Sequence, residues 1–189
     1  MEASTLSVVI SGGYLLFAEM FFRKDGSLDR DQKVDRGTTR WTGLFVFASI
    51  FLPKLLSLFF TWPVPLTPSA LVTVLLLCPM LAGVGLRYWS MSVLAASFSR
   101  VLRVQQDQKL ITSGPYSLIR HPGYAANALV FVPNAVLSAS SWAAGLVWLA
   151  LFLVIYHARI SAEEAMLRQA MPEYNAYAHA TKKLIPFVY

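Results

Sequence analysis

Residues 142–168 read WAAGLVWLALFLVIYHARISAEEAMLR. From Trp142 to Tyr156 the stretch carries no charge, and it then runs into Arg159, Glu163, Glu164 and Arg168 without a proline or a further glycine to stop it. Strong helix formers fill the charged part, and its polar and apolar positions alternate with helical spacing. The stretch predicts one helix that leaves a lipid phase and continues into water.

Four more apolar runs lie upstream: Thr5 to Phe22, Trp41 to Phe60, about Ser69 to Tyr88, and Tyr124 to Leu137. The 189 residues are 56% hydrophobic and only 14% charged, where a soluble domain carries about 25% charge, and the mean hydropathy is +0.53. The expected fold is all-α, a polytopic membrane bundle of about five transmembrane helices with a C-terminal cytoplasmic helical segment. Residues 1–189 form one domain, with the first three helices in 1–90. A separate soluble unit such as a Rossmann domain does not fit in this length. The first run follows only Glu2 and lacks the basic segment and small-residue cleavage site of a signal peptide, so it is read as a retained helix. The last two runs are short for a bilayer of about 30 Å, and four spans with a re-entrant pair is the alternative reading.

The net charge of +6 is partitioned along the chain. Fifteen of the sixteen Lys and Arg residues lie in the first and third connections and the C-terminal segment, while the connections around 61–68 and 138–141 hold none. This alternation places the N-terminus outside and the basic loops and C-terminus in the cytoplasm. It explains the basic balance by topology and anionic lipid rather than by nucleic acid. The single cysteine, Cys78, excludes a disulfide framework, and three widely spaced histidines with no carboxylate at ligand spacing argue against a metal. Glu19 and Lys54 are costly in lipid and are functional suspects, or snorkel to the interface. His157 is read as structural and His179 as exposed.

Two segments carry unusual chemistry. In residues 108–124, Gly114-Pro115 makes a turn, and Pro122 suits the first turn of a helix, where its missing N–H costs nothing. Arg120 and His121 are then presented at a helix N-terminus, which favours a carboxylate or phosphate ligand; interface anchoring by Arg120 and Tyr124 is the bland alternative. In the second segment, Arg159 and Glu163, and Glu164 and Arg168, are four apart and share faces. Two weak surface ion pairs would account for that spacing equally well.

Taken together, Leu110-Ile-Thr-Ser-Gly-Pro-Tyr116, Arg120-His-Pro122, Tyr124, the later Arg159-Ile160 with Glu163-Glu164 and Leu167, then Tyr174, Tyr177 and Ile185-Pro-Phe187 resemble the isoprenylcysteine carboxyl methyltransferase family. Asp35-Arg-Gly-Thr38 is similar to a motif of its prokaryotic branch. The resemblance covers roughly residues 98–187 and makes 91–189 the cofactor-binding, catalytic half. It implies S-adenosylmethionine as cofactor, enclosed by Gln108, Lys109, Leu110, Ile111, Tyr116, His121, Pro122, Gly123, Tyr124 and Glu163, with Arg103 joining from upstream. Many relatives have His where this chain has Gln108. Arg159 corresponds to the arginine that faces the methyl acceptor, so Arg159 and Glu163 are the implied catalytic pair.

A terminal carboxylate with a pKa near 3.5 is already ionised at neutral pH and needs no general base. An enzyme must strip it of water and align it, and Arg159 can grip it in bidentate fashion. The acceptor implied is a lipophilic or prenylated one, a prenylcysteine-like carboxylate first. A phospholipid amine, which would need Glu163 or Glu164 to take a proton, an NADPH-dependent membrane reductase and a non-catalytic relative are the competing readings.

Overall fold

The computed structural model describes residues 2–21, 38–67, 69–94 and 110–186, without the side chains of 17–21. Arg103, Gln108, Lys109, Asp35 and Arg36 lie outside the described residues, as does the side chain of Glu19. Among the described residues there are six α-helices: α1 (Ala3–Phe21), α2 (Thr38–Leu56), α3 (Ala70–Leu94), α4 (Pro122–Ala139), α5 (Trp142–Ala170) and α6 (Tyr174–Ala180), with a short 3₁₀ turn at Gly114–Ser117. Every apolar run expected from the sequence contains a helix, the second of them ending at Leu56, four residues before Phe60. Two of them, α3 and α5, are long and apolar enough to cross a membrane.

Boundaries differ from the hydropathy reading where charge interrupts an apolar run without interrupting the helix. α3 runs six residues past Tyr88, carrying Arg87 inside it. α5 is continuous for 29 residues, about 43 Å at 1.5 Å per residue. Its start is capped by Ser141, whose hydroxyl accepts from Ala143 N at 3.1 Å.

α4 is the hub, packed against α1, α2, α3 and α5. Its residues Ala126, Asn127, Val130, Phe131, Pro133, Asn134 and Ala135 are buried, whereas Leu71, Val74 and Leu75 of α3 and Leu146, Leu153 and Val154 of α5 are exposed. Such apolar exteriors suit lipid and would be an aggregation liability in water. Gly83 lets α3 lie against α4, since a Cβ there would stand 2.9 Å from Ala126 O and from Val130 Cγ2.

Backbone polarity inside the bundle is satisfied by side chains. Pro53 has no N–H to donate to Ser49 O one turn earlier. Asn134 Nδ2 fills that place at 2.7 Å, and Trp148 Nε1 donates to the Ser49 hydroxyl at 3.0 Å. Between α1, α4 and α5, Tyr14 OH donates to Asn127 Oδ1, and Asn127 Nδ2 donates to Tyr156 OH at 2.6 Å.

The two uncharged connections meet at one end of the bundle. Leu66 N donates to Ser140 O at 2.8 Å and Trp142 N to Val64 O at 3.1 Å. The start of α2, the start of α4 and the charged half of α5 gather at the other end, where the C-terminal segment joins them.

Candidate active site

The charged end is built from three elements. The loop 118–121 is held in place by the C-terminal segment, with Arg120 N donating to Lys182 O at 2.8 Å and His121 N to Lys183 O at 3.0 Å. Pro122 then starts α4 as its first residue, and His121 is the N-cap, contributing no side-chain cap. α5 brings Arg159 and Glu163, four apart and on one face, past the loop, with Glu164 on the neighbouring face.

His121 is 5% exposed and stands between two carboxylates. Its Nδ1 is 3.7 Å from Glu163 Oε2, its Nε2 is 3.3 Å from Glu164 Oε1, and its ring stacks on Tyr124 with centroids 5.4 Å apart. Tyr124 OH donates to Glu163 Oε2 at 2.6 Å and accepts from Arg159 Nε at 3.2 Å. Arg159 Nη1 in turn donates to Thr38 Oγ1 at 3.0 Å and Thr39 Oγ1 at 2.6 Å. One string of polar groups therefore runs from His121 through Glu163 and Tyr124 to Arg159 and the start of α2.

Arg120 is not presented to solvent as an anion site. Its Nε donates to Glu164 Oε1 at 2.8 Å, with both side chains 7% exposed, and its Nη1 donates to Ala178 O at 2.8 Å and to Thr181 O. The N–H groups of Arg120 and His121, which precede the first turn of α4, are also taken by the C-terminal segment. Burial pushes the Glu164 carboxyl up, but hydrogen bonds from His121 and Arg120 and their charge outweigh it and bring it down to about 2. Glu164 is thus a poor proton acceptor near neutral pH. The expected pairing of Glu164 with Arg168 exists at 3.7 Å, but Arg120 is the closer partner.

Of the residues implied by the family motifs, His121, Tyr124, Glu163 and Arg159 are brought together. Pro122 is buried beneath them. Gly123 lies against Arg87, whose Nη1 donates to Gly123 O at 3.3 Å. Tyr116, in the 3₁₀ turn, accepts a 2.7 Å bond from Tyr177 OH on its carbonyl; its own hydroxyl is raised in pKa first by burial and then by the charge of Glu163. Leu110 and Ile111 are half-buried at the start of the segment. His157 is exposed beside an apolar groove of about 430 Å³ lined by Phe152, Tyr156, Ile160 and Leu184, and His179 is exposed, as expected.

Four contributors were not read from the sequence: Thr38, Thr39, Arg120 as a tail clamp, and Glu164 as its partner. The one available signal was the Asp35-Arg-Gly-Thr38 element, which ends on the first of the two threonines.

An all-helical protein with helices of membrane length and a buried charged cluster at one end of the bundle is the class that fold and site define. The sequence model of the isoprenylcysteine carboxyl methyltransferase (ICMT) family matches residues 73–169, just over half of the chain, and the chain belongs to that family. The resemblance drawn from its motifs is borne out. Relatives include the nickel-cobalt-cadmium resistance protein NccN of Alcaligenes xylosoxydans xylosoxydans, 30% identical over 141 residues, covering 75% of this chain and 62% of that protein. The cobalt-zinc-cadmium resistance protein CzcN of Cupriavidus metallidurans is 34% identical over 126 residues, 67% of this chain and 52% of that protein. A probable protein-S-isoprenylcysteine O-methyltransferase of Oryza sativa subsp. indica is 33% identical over 112 residues, 58% of each. The chain thus spans between about half and somewhat under two thirds of the length of these curated relatives.

Proposed function

We propose that the protein transfers a methyl group from S-adenosylmethionine to the carboxylate of a lipophilic, prenylcysteine-like acceptor. The observation that carries this reading is the string in which Tyr124 joins Glu163 to Arg159 by hydrogen bonds of 2.6 and 3.2 Å. It sets a carboxylate and a guanidinium side by side in a site where Arg159 is only 5% exposed.

The residues suit the cofactor. Glu163 keeps a quarter of its side chain accessible and can accept from amino or ribose groups. Tyr174 OH, buried and within electrostatic reach of Glu164, Arg120 and Glu163, has no hydrogen-bond partner among the described residues, as expected of a group that waits for a ligand or water. When bound, S-adenosylmethionine supplies an electrophilic methyl on a positively charged sulfur that leaves as a neutral thioether. His121, Tyr116, Tyr124 and Glu163, with Arg103, Gln108, Lys109, Leu110, Ile111, Pro122 and Gly123 implied by the family motifs, would hold it.

Arg159 then grips the acceptor carboxylate, leaves one oxygen to attack, and replaces the water that oxygen loses. No proton has to be removed. An amine acceptor would depend on Glu163 alone to take a proton, because Glu164, held down to about 2, is a weak base, and the buried Arg159 guanidinium repels an ammonium group. The O-methyltransferase activity in the names of the Oryza sativa relatives supports the carboxylate reading. Among the described residues no group of three or more His, Cys, Asp or Glu side chains is placed to hold a metal ion.

We further place α1 to α5 as five spans, with the N-terminus outside and the site at the cytoplasmic face. The apolar tail of the acceptor reaches the site from the lipid, and the cofactor from water. Supporting this, the uncharged connections share one end and, among the described residues, Arg120, Arg159, Lys182 and Lys183 lie at the other.

Calorimetry of S-adenosylmethionine and its demethylated product with detergent-purified protein tests the reading, followed by methyl transfer to N-acetyl-S-farnesylcysteine. Micromolar binding is expected, lost at least tenfold in His121→Ala and Glu163→Ala. Well-folded protein that binds neither nucleoside would reject the cofactor and bring NADPH or a non-catalytic role forward.

A further inference from the structure

We infer that Thr38 and Thr39, at the start of α2, are positioning residues for the methyl acceptor, acting through Arg159. The inference rests on the reading of Arg159 as the acceptor-binding residue and adds a requirement to it: the start of α2 completes the acceptor site.

Hydroxyl groups in a first helical turn ordinarily serve the backbone N–H groups that have no partner there. Here two successive hydroxyls, Thr38 Oγ1 at 3.0 Å and Thr39 Oγ1 at 2.6 Å, accept from the same atom, Arg159 Nη1. Both threonines are half-buried, and about 120 residues separate them from Arg159, so the contact ties α2 to α5.

Arginine has a long side chain with about 2 kcal/mol of rotamer freedom, whereas productive geometry tolerates only about 10–20° of error. Holding one nitrogen of the planar guanidinium leaves it free to swing; holding two sets its plane and its rotation within that plane. Tyr124 OH holds Nε at 3.2 Å and the threonine pair holds Nη1. Because the same Tyr124 hydroxyl donates to Glu163 at 2.6 Å, the guanidinium is registered against the carboxylate on the cofactor side. The distance between the acceptor's grip and the cofactor's grip is thereby set by hydrogen bonds and not by helix packing alone. Arg120, by contrast, is bound to a carboxylate and to two main-chain carbonyls of the tail, which is how an arginine is placed when its task is to hold chain.

The test compares wild type with the near-isosteric Thr38→Val/Thr39→Val variant, the Thr38→Ser/Thr39→Ser variant and Arg159→Lys. The readouts are steady-state methylation of N-acetyl-S-farnesylcysteine and calorimetric binding of the demethylated cofactor product. The valine pair should raise the acceptor KM about ten- to a hundredfold, keep nucleoside Kd within about twofold of wild type, and add less than twofold in the Arg159→Lys background. The serine pair should restore KM to within about threefold. Nucleoside binding lost together with acceptor KM would mean that the threonines merely support the fold, and would overturn the inference. So would an unchanged KM in the valine pair while Arg159→Lys raises it. If wild type does not methylate the probe, or Arg159→Lys leaves its KM unmoved, the reading of Arg159 fails and the inference with it.

Discussion

At the end of the bundle formed by residues 63–66 and 140–142, main chain meets main chain. Leu66 and Trp142 donate their N–H groups to Ser140 and Val64, and the Ser141 hydroxyl donates to Pro63 O at 2.6 Å. No charged residue lies in either connection. At the opposite end, side chains do the joining: Arg120, His121, Glu163, Glu164 and Arg159 link the start of α4, the lower half of α5, the tail and the start of α2. The difference separates two ways of closing a helical bundle. A backbone seal is indifferent to pH and carries little chemistry, while a charge network depends on pH and on each partner, and it is where a polar reaction can be run.

The largest expected effect breaks the charged end. Arg120→Ala removes the closest partner of a buried carboxylate and the clamp on Ala178 and Thr181. Loss of one member of a buried pair costs about 3–5 kcal/mol. Denaturant titration in detergent should show that loss, and limited proteolysis should find the C-terminal segment newly accessible while cleavage in the 63–66 connection is unchanged. An unaltered midpoint would mean that the tail is held by its apolar contacts alone.

The next effect is a dependence on pH. The Glu164 carboxyl is lowered in the folded state from 4.5 to about 2, so the stabilisation it gives is present above the unfolded value and is lost as pH falls through the folded one. Between about pH 4.5 and 2 the protein should lose on the order of 3 kcal/mol. Glu164→Gln should flatten that acid limb while lowering stability at pH 7. Proteolysis across the same range should open the charged end first.

How much of this was readable in advance follows the same division. His121, Tyr124, Arg159 and Glu163 could be named because they sit in short segments with spacing of their own, and two helices deliver them to one place. The uncharged connections could be paired because a lack of charge is itself a topological signal. Arg120 could not be placed, since its partners at Ala178 and Thr181 are carbonyl groups, which every residue has. Contact across about 120 residues leaves Thr39 no local pattern, and Thr38 only its place at the end of the Asp35-Arg-Gly-Thr38 element. Hydropathy ends α3 at Tyr88, six residues before its true end, because Arg87 lowers hydropathy without lowering helix propensity. It can do so because its side chain turns to Gly123 O.

A smaller effect belongs to the backbone seal. Ser141→Ala removes an N-cap and the bonds to Pro63 O and Val64 O, worth about 1–2 kcal/mol. The loss should be the same at pH 4 and pH 7, and nucleoside binding at the far end should not change. A pH-dependent loss would mean that the two ends are coupled through α5.

The smallest effect sharpens the comparison within the charged end itself, where Glu164 has two arginine partners. Arg120 approaches Oε1 to 2.8 Å with 7% of its side chain exposed; Arg168 approaches Oε2 only to 3.7 Å and is 44% exposed. Spacing of i to i+4 along one helix makes the second pair the one that sequence suggests, yet water and salt screen it, and such pairs contribute about 0.3–0.5 kcal/mol. Arg168 also bonds Asn175 Oδ1 at 3.0 Å and lies over the Tyr174 ring, so Arg168→Ala should lower stability by no more than about 1 kcal/mol. The part due to Glu164 should vanish at high salt, whereas the Arg120→Ala deficit should persist there. If both deficits shrink alike with salt, the Arg120–Glu164 pair is solvated and the contrast between the two arginines is wrong.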